Sequence, residues 1–248
     1  MERTVNNRPD HTARVPWARR IRRIATGFGM IGFSALLIPQ GIVDPTDASS
    51  FRDASVHQPV ALYVSGLLLL ASALLTFPAI CGILHQARDR GALVADIGAG
   101  FAALGALGHA ALGIIYLIMR SMGDGDAAAM IAFEERFNSD VPVGVVGLTL
   151  LLSFGIGIAL LAWAAWRAGL IGVWGPVVIT AVVVAHMVLP DDLPSVVPTI
   201  ALGMIAVVFG WLGVRTTRLS DAEWETRSGG PTTIAVDRPK TEAPTHSG

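Results

Sequence analysis

A chain of 248 residues that is 52% hydrophobic and only 15% charged, with a mean hydropathy of +0.58, has too little polar surface to coat a water-soluble globule of its size. Its net charge of −1 offers no cationic surplus for a nucleic-acid backbone, and its single cysteine, Cys81, leaves neither an intrachain disulfide nor a thiolate metal cluster. Lipid must cover the apolar excess, and six apolar runs of helical length predict an all-α polytopic membrane protein: a six-helix transmembrane bundle with both termini cytoplasmic.

In chain order, residues 1–23 read as a cytoplasmic N-terminal tail, mobile at first and ending in Trp17 and the arginines 19, 20, 22 and 23. The first span covers residues 24–42. A polar connection with Asp44, Asp47, Arg52, Asp53 and His57 leads to the second span, 59–84. A tight turn holding Arg88 and Arg90 separates it from the third, 92–119. The longest connection, 120–140, contains Asp124-Gly125-Asp126, which reads as a turn because no further calcium ligands follow. Behind it, Met130, Phe133 and Phe137 share one helical face and Glu134, Glu135 and Arg136 the other, predicting a short amphipathic helix on the bilayer or over the bundle. The fourth span is 141–166, the fifth 171–189 after Arg167, and the sixth 196–214 after a break at Pro190, Asp191, Asp192 and Pro194. Each run suffices to cross about 30 Å of hydrocarbon at about 1.5 Å per residue. The segment 215–248 is a cytoplasmic tail: Ser220 and Glu223 have capping-box spacing for a short helix, and the remainder is rich in Thr, Pro and Gly, with disorder as its expectation.

Arginines orient the bundle. With the N-terminus inside, cytoplasmic segments hold the first cluster, Arg88, Arg90, Arg167, Arg215 and Arg218, whereas outer loops hold only Arg52, Arg120 and Arg136. Most loop acids, Asp44, Asp191 and Asp192 among them, gather on the outer side as an acidic vestibule. A cleaved signal peptide is the competing reading of the first span, but the run is long and no A-x-A site follows it.

Inside the spans, Gly27, Gly29 and Gly32 spell G-x-G-x-x-G, yet they lie in an apolar helix with no strand before them, so close helix packing is the better reading than a dinucleotide site. Gly98, Ala102, Gly105, His109 and Gly113 recur at helical spacing in the third span, and Gly203, Ala206, Gly210 and Gly213 do so in the sixth, which marks these two helices for the tightest contacts. An ionisable group deep in a bilayer is a candidate site. His109 and His186 qualify, with Gly105 beside His109; their ordinary alternative is one hydrogen bond to a neighbouring helix. Asp96 lies nearer the cytoplasmic end, within snorkelling reach of Arg88 or Arg90. Superposing spans two and three on four and five pairs Arg90 with Arg167, Pro78 with Gly155, and His109 with His186, the pattern of a duplicated hairpin.

The D-P turn at Asp44 and Pro45, the R-x-R turn at Arg88 to Arg90, the G-H-A-A-L-G segment at Gly108 to Gly113 and the W-R-A-G turn at Trp166 to Gly169 give a layout that resembles uncharacterised six-span membrane proteins of actinobacteria. The resemblance implies a bacterial cytoplasmic (inner) membrane location and a helical bundle; it carries no activity. Functionally, the residues point to small-molecule or lipid binding or transport between the third and fifth spans, near His109, His186, Asp96 and Gly105. Two alternatives stand beside it: a structural or regulatory subunit of a membrane complex, or a homo-oligomer, and a redox protein with haem ligated by the two histidines. No catalytic triad, Walker loop or zinc-protease motif is present, so the reading leans away from an enzyme and assigns no cofactor other than that haem alternative. The partner in every case is the lipid bilayer.

Overall fold

The computed structural model describes residues 16–45, 50–123, 125–188 and 196–226. Among them the chain forms nine helices: α1 Pro16–Val43, α2 Phe51–His57, α3 Pro59–Gln86, α4 Ala92–Met122, α5 Ala127–Ser139, α6 Val141–Arg167, α7 Trp174–Val188, α8 Val196–Arg218 and α9 Asp221–Thr226. Five of them, α1, α3, α4, α6 and α8, are long and apolar enough to cross a membrane. The fifth predicted span is the shorter apolar helix α7, whose described part is 15 residues. Side-chain caps start α5 and α6. Asp140 accepts from the Val143 N–H at 3.3 Å before α6, and Asp126 from the Ala128 N–H at 2.9 Å before α5. The predicted N-terminal tail before residue 16, the 190–194 break, Asp47, Asp124 and the tail beyond 226 lie outside the described residues.

The six large apolar helices pack as a closed ring in the order α1, α3, α4, α6, α7, α8 and back to α1. Side chains from all six fill its middle, among them Met30, Phe33, Ile80, Ile158, Ile179 and Phe209, and the Phe33 and Phe209 rings meet edge to face at 5.1 Å. In lipid the ring cannot rely on hydrophobic exclusion, so close approach must hold it together. Glycine supplies it. A Cβ on Gly105 would stand 2.3 Å from the Phe154 Cα, and one on Gly157 2.2 Å from the Ala102 backbone N, so α4 and α6 touch backbone to backbone. Gly66 and Gly113 close α3 on α4 in the same way, each against the other's carbonyl, and Gly27 with Gly213 close α1 on α8.

The glycine stripe of the third span therefore does face the bundle, against α6 and α3. The stripe of the sixth span does so only at Gly213; Gly203 and Gly210 have nothing within 4 Å of an added Cβ. Gly29 lies against Pro78 and Ala79 and Gly32 against Leu75, so the G-x-G-x-x-G of α1 is a packing face. Hydrogen bonds link helices of the ring: Ser72 Oγ of α3 donates to the Phe33 carbonyl of α1 at 3.1 Å, Gln86 Nε2 of α3 to Thr216 Oγ1 of α8 at 3.1 Å, and Trp163 Nε1 of α6 to Thr180 Oγ1 of α7 at 3.0 Å.

At the arginine-bearing end, α9 folds back on the bundle. Ser220 and Glu223 cap it reciprocally, Glu223 N–H to Ser220 Oγ at 3.2 Å and Ser220 N–H to Glu223 Oε2 at 2.7 Å, as their spacing predicts. The buried Trp224 stacks on His85 with ring centres 4.1 Å apart, and Arg23 pairs with Asp221 at 3.2 Å while also donating to the Leu219 carbonyl. At the other end α5 rests on α2, Phe137 meeting Phe51 edge to face at 6.4 Å.

Candidate functional site: a lateral opening above His109

The ring is unevenly closed. Toward the arginine-bearing end α6 shows a buried face, Ser153, Phe154, Gly157, Ile158, Leu161, Ala162, Ala164 and Ala165. Toward the other end every residue from Val141 to Thr149 is exposed, on all sides of the helix. The outer part of α7 behaves alike: Val184, His186, Met187 and Val188 are exposed. The last backbone approaches of α4 to α6 are at Gly105, against Phe154, and Gly108, whose added Cβ would stand 2.6 Å from the Leu150 Cβ. From there to the start of the helix, Thr149 back to Val141, every α6 residue is exposed.

His109 sits at that point of departure. Its ring packs on Phe154 of α6 with centres 4.2 Å apart, and its Nδ1 lies 3.0 Å from the Gly105 carbonyl oxygen. A carbonyl only accepts, so Nδ1 carries the proton, and in the neutral imidazole Nε2 is an acceptor. Gly105 thus has two tasks, admitting the backbone of α6 and orienting the histidine.

The other sequence candidates are placed elsewhere. His186 is exposed on α7, which packs on α6 and α8, while α4 packs on α3 and α6. One helix therefore separates the two imidazoles, and the third and fifth spans do not enclose a common site. The pair is not arranged to clasp a haem between them, and as a repeat they are unequal, one half-buried on a phenylalanine and one open. Asp96 is exposed on α4 and makes no ion pair with Arg88 or Arg90. No group of three or more metal-ligating side chains gathers among the described residues.

A second polar cluster lies at the outer mouth. Asp44, just past α1, accepts from Gln40 Nε2 at 2.6 Å and from the Tyr116 hydroxyl at 3.1 Å. Burial pushes its carboxyl above the usual range, and these two donors pull it part of the way back. Beside it a cavity of about 250 Å³ is lined by Pro45, Ser50, Phe51, Ala54, Leu62, Tyr116 and Glu134. Glu134, expected on the solvent side of its helix, instead turns inward and accepts the Phe51 N–H at 2.8 Å. Its spacing of four from the buried Met130 is the signal that would have revealed this. The short helix α2 is signalled by Ser50, whose Oγ accepts the Asp53 N–H at 3.0 Å. No family model, curated protein or solved structure matches the chain.

Proposed function

We propose that this membrane protein binds a lipid-like amphiphile that enters sideways from the bilayer, through the outer half of the ring, and meets His109 at the floor of the opening. The observation that carries the reading is the all-round exposure of Val141 to Thr149 directly above the His109 and Phe154 contact. An apolar chain fits between helices that are apolar on every face, and the Nε2 acceptor suits a head group that donates a hydroxyl hydrogen. Binding from the side is favoured over passage along the ring axis, which Phe33, Ile179 and Phe209 fill. In this reading the arginine-rich end lies in the cytoplasm of a bacterial inner membrane, with both termini there; Arg20, Arg22, Arg90, Arg167 and Arg218 support it.

The test is a thermal-shift titration of delipidated protein with dioleoylglycerol and with oleyl alcohol. The wild-type midpoint rises with either probe, His109→Leu loses the rise, and His186→Leu keeps it. Equal rises in all three proteins would refute the His109 site.

A second reading, a structural or regulatory subunit or a homo-oligomer, has one observation in its favour: Gly144, Gly147, Gly203 and Gly210 have open space where a partner helix could approach closely. A stoichiometric protein recovered with the chain in mild detergent, together with no response to either probe, would favour it.

A further inference from the structure

At the arginine-bearing end, the turn between α3 and α4 abuts the C-terminus of α6 and leaves an open cavity of about 750 Å³ lined by Asp89, Arg90, Gly91, Trp166 and Arg167. The approach is by backbone. Gly91 has φ +99°, and a Cβ placed on it would stand 3.1 Å from the Ala164 carbonyl oxygen and 3.2 Å from the Arg167 Cβ. Arg90, its chain neighbour in the turn, and Arg167 at the end of α6 are thereby held at one cavity.

Other arginines at this end are occupied: Arg19 with Glu225, Arg23 with Asp221, and Arg215 with the Leu170 carbonyl. Arg90 and Arg167 make no hydrogen bond or ion pair among the described residues. Asp89 is the one acid in the lining, so two cations against one anion leave a surplus of one positive charge. Trp166 stands edge-on to Trp163 with ring centres 5.4 Å apart and is exposed toward the cavity, the amphipathic side chain favoured where hydrocarbon meets head groups. No side chain caps the start of α4, at the cavity wall.

We infer that this cavity binds a phosphate group, with Arg90 and Arg167 donating to its oxygens and Trp166 packing beside it. Guanidinium pairs recognise phosphate by parallel N–H donors, and basic pockets between spanning helices are suited to lipid head groups. A surplus of one charge matches a phosphodiester monoanion. The site is independent of the amphiphile reading, since it lies at the opposite end of the bundle from Val141 to Thr149.

The experiment measures binding to delipidated full-length protein by native mass spectrometry, with dioleoylphosphatidylglycerol, with dioleoylglycerol, which lacks the phosphate, and with inorganic phosphate. Phosphatidylglycerol is expected to bind wild type, and the paired substitution R90Q/R167Q to weaken it by about tenfold or more, the loss of at least one charge-assisted hydrogen bond. R20Q/R218Q, which removes two charges from the same end outside the cavity, should leave it unchanged. Inorganic phosphate that displaces the lipid and binds alone identifies the free anion as the source; inorganic phosphate without effect identifies the head group. The inference is overturned if R90Q/R167Q binds phosphatidylglycerol as wild type does, if R20Q/R218Q loses as much, or if a His109→Leu protein binds the two dioleoyl lipids equally and ignores phosphate. Should R90Q/R167Q not fold, R90K/R167K keeps the charge and removes the planar fork, and undiminished binding by it would count against the arginine geometry.

Discussion

Asp44 shows how one side chain at a membrane boundary couples stability to pH. Its carboxyl, held above its usual range mainly by burial, takes a proton more readily in the folded protein than in the unfolded chain. Its contribution is therefore greatest below the ordinary carboxylate value of about 4 and falls as pH rises through the raised folded value. Asp44→Asn keeps an acceptor for the Tyr116 hydroxyl and removes the charge. The thermal midpoint of the variant relative to wild type should rise between pH 4 and pH 7; a constant difference would show that ionisation of Asp44 is not the cause. The same residue marks how far the sequence was legible. Asp44 and Pro45 announced a turn, but the pairing of Asp44 with Tyr116 joins positions 72 residues apart and had no local signal. His109 was legible as a buried-face ionisable group because it lies on a stripe of small residues, whereas the partner proposed for it, His186, shared only its depth in a span. Depth is a property of one helix, and ring order, which set the two apart, is a property of all six.

At the scale of helices, several span edges were readable because charge, proline and glycine end apolar runs sharply, but α1 begins at Pro16, ahead of the first run 24–42, because residues 16–23, read as part of the tail, continue the same helix with its arginines. The run 59–84 became Pro59–Gln86 and the run 141–166 became Val141–Arg167. Which helix each glycine face would meet was not readable, since small residues permit close approach without naming the neighbour. The contact between α4 and α6 depends on that permission most. Gly105→Ala would force a Cβ to 2.3 Å from the Phe154 backbone, so we expect it to destabilise the bundle by about 1–3 kcal/mol, the cost of overpacking. Gly100, on the same helix with nothing within 4 Å, is the control: Gly100→Ala should be neutral or stabilising by about 0.5–1 kcal/mol. Reversible unfolding in mixed micelles compares the two. Equal effects would mean that the backbone contact between α4 and α6 is not formed.

For the whole molecule, the two ends differ in construction. The arginine-bearing end is drawn together by α9, by the Arg23 pair with Asp221 and by Arg215 on the Leu170 carbonyl, while the other end spreads as α6 and α7 leave their neighbours. Under the proposed function, a ring closed at one end and parted at the other gives a bilayer molecule access to His109 without a pore. The most direct test is an oxygen-accessibility scan of spin labels placed singly from Val141 to Ala165, in a Cys81→Ser background and in nanodiscs. Uniformly high accessibility is expected from Val141 to Thr149, followed by a helical period with minima at 153, 154, 157, 158, 161, 162, 164 and 165. A helical period that already begins at Val141 would show α6 packed along its whole length and would contradict the opening.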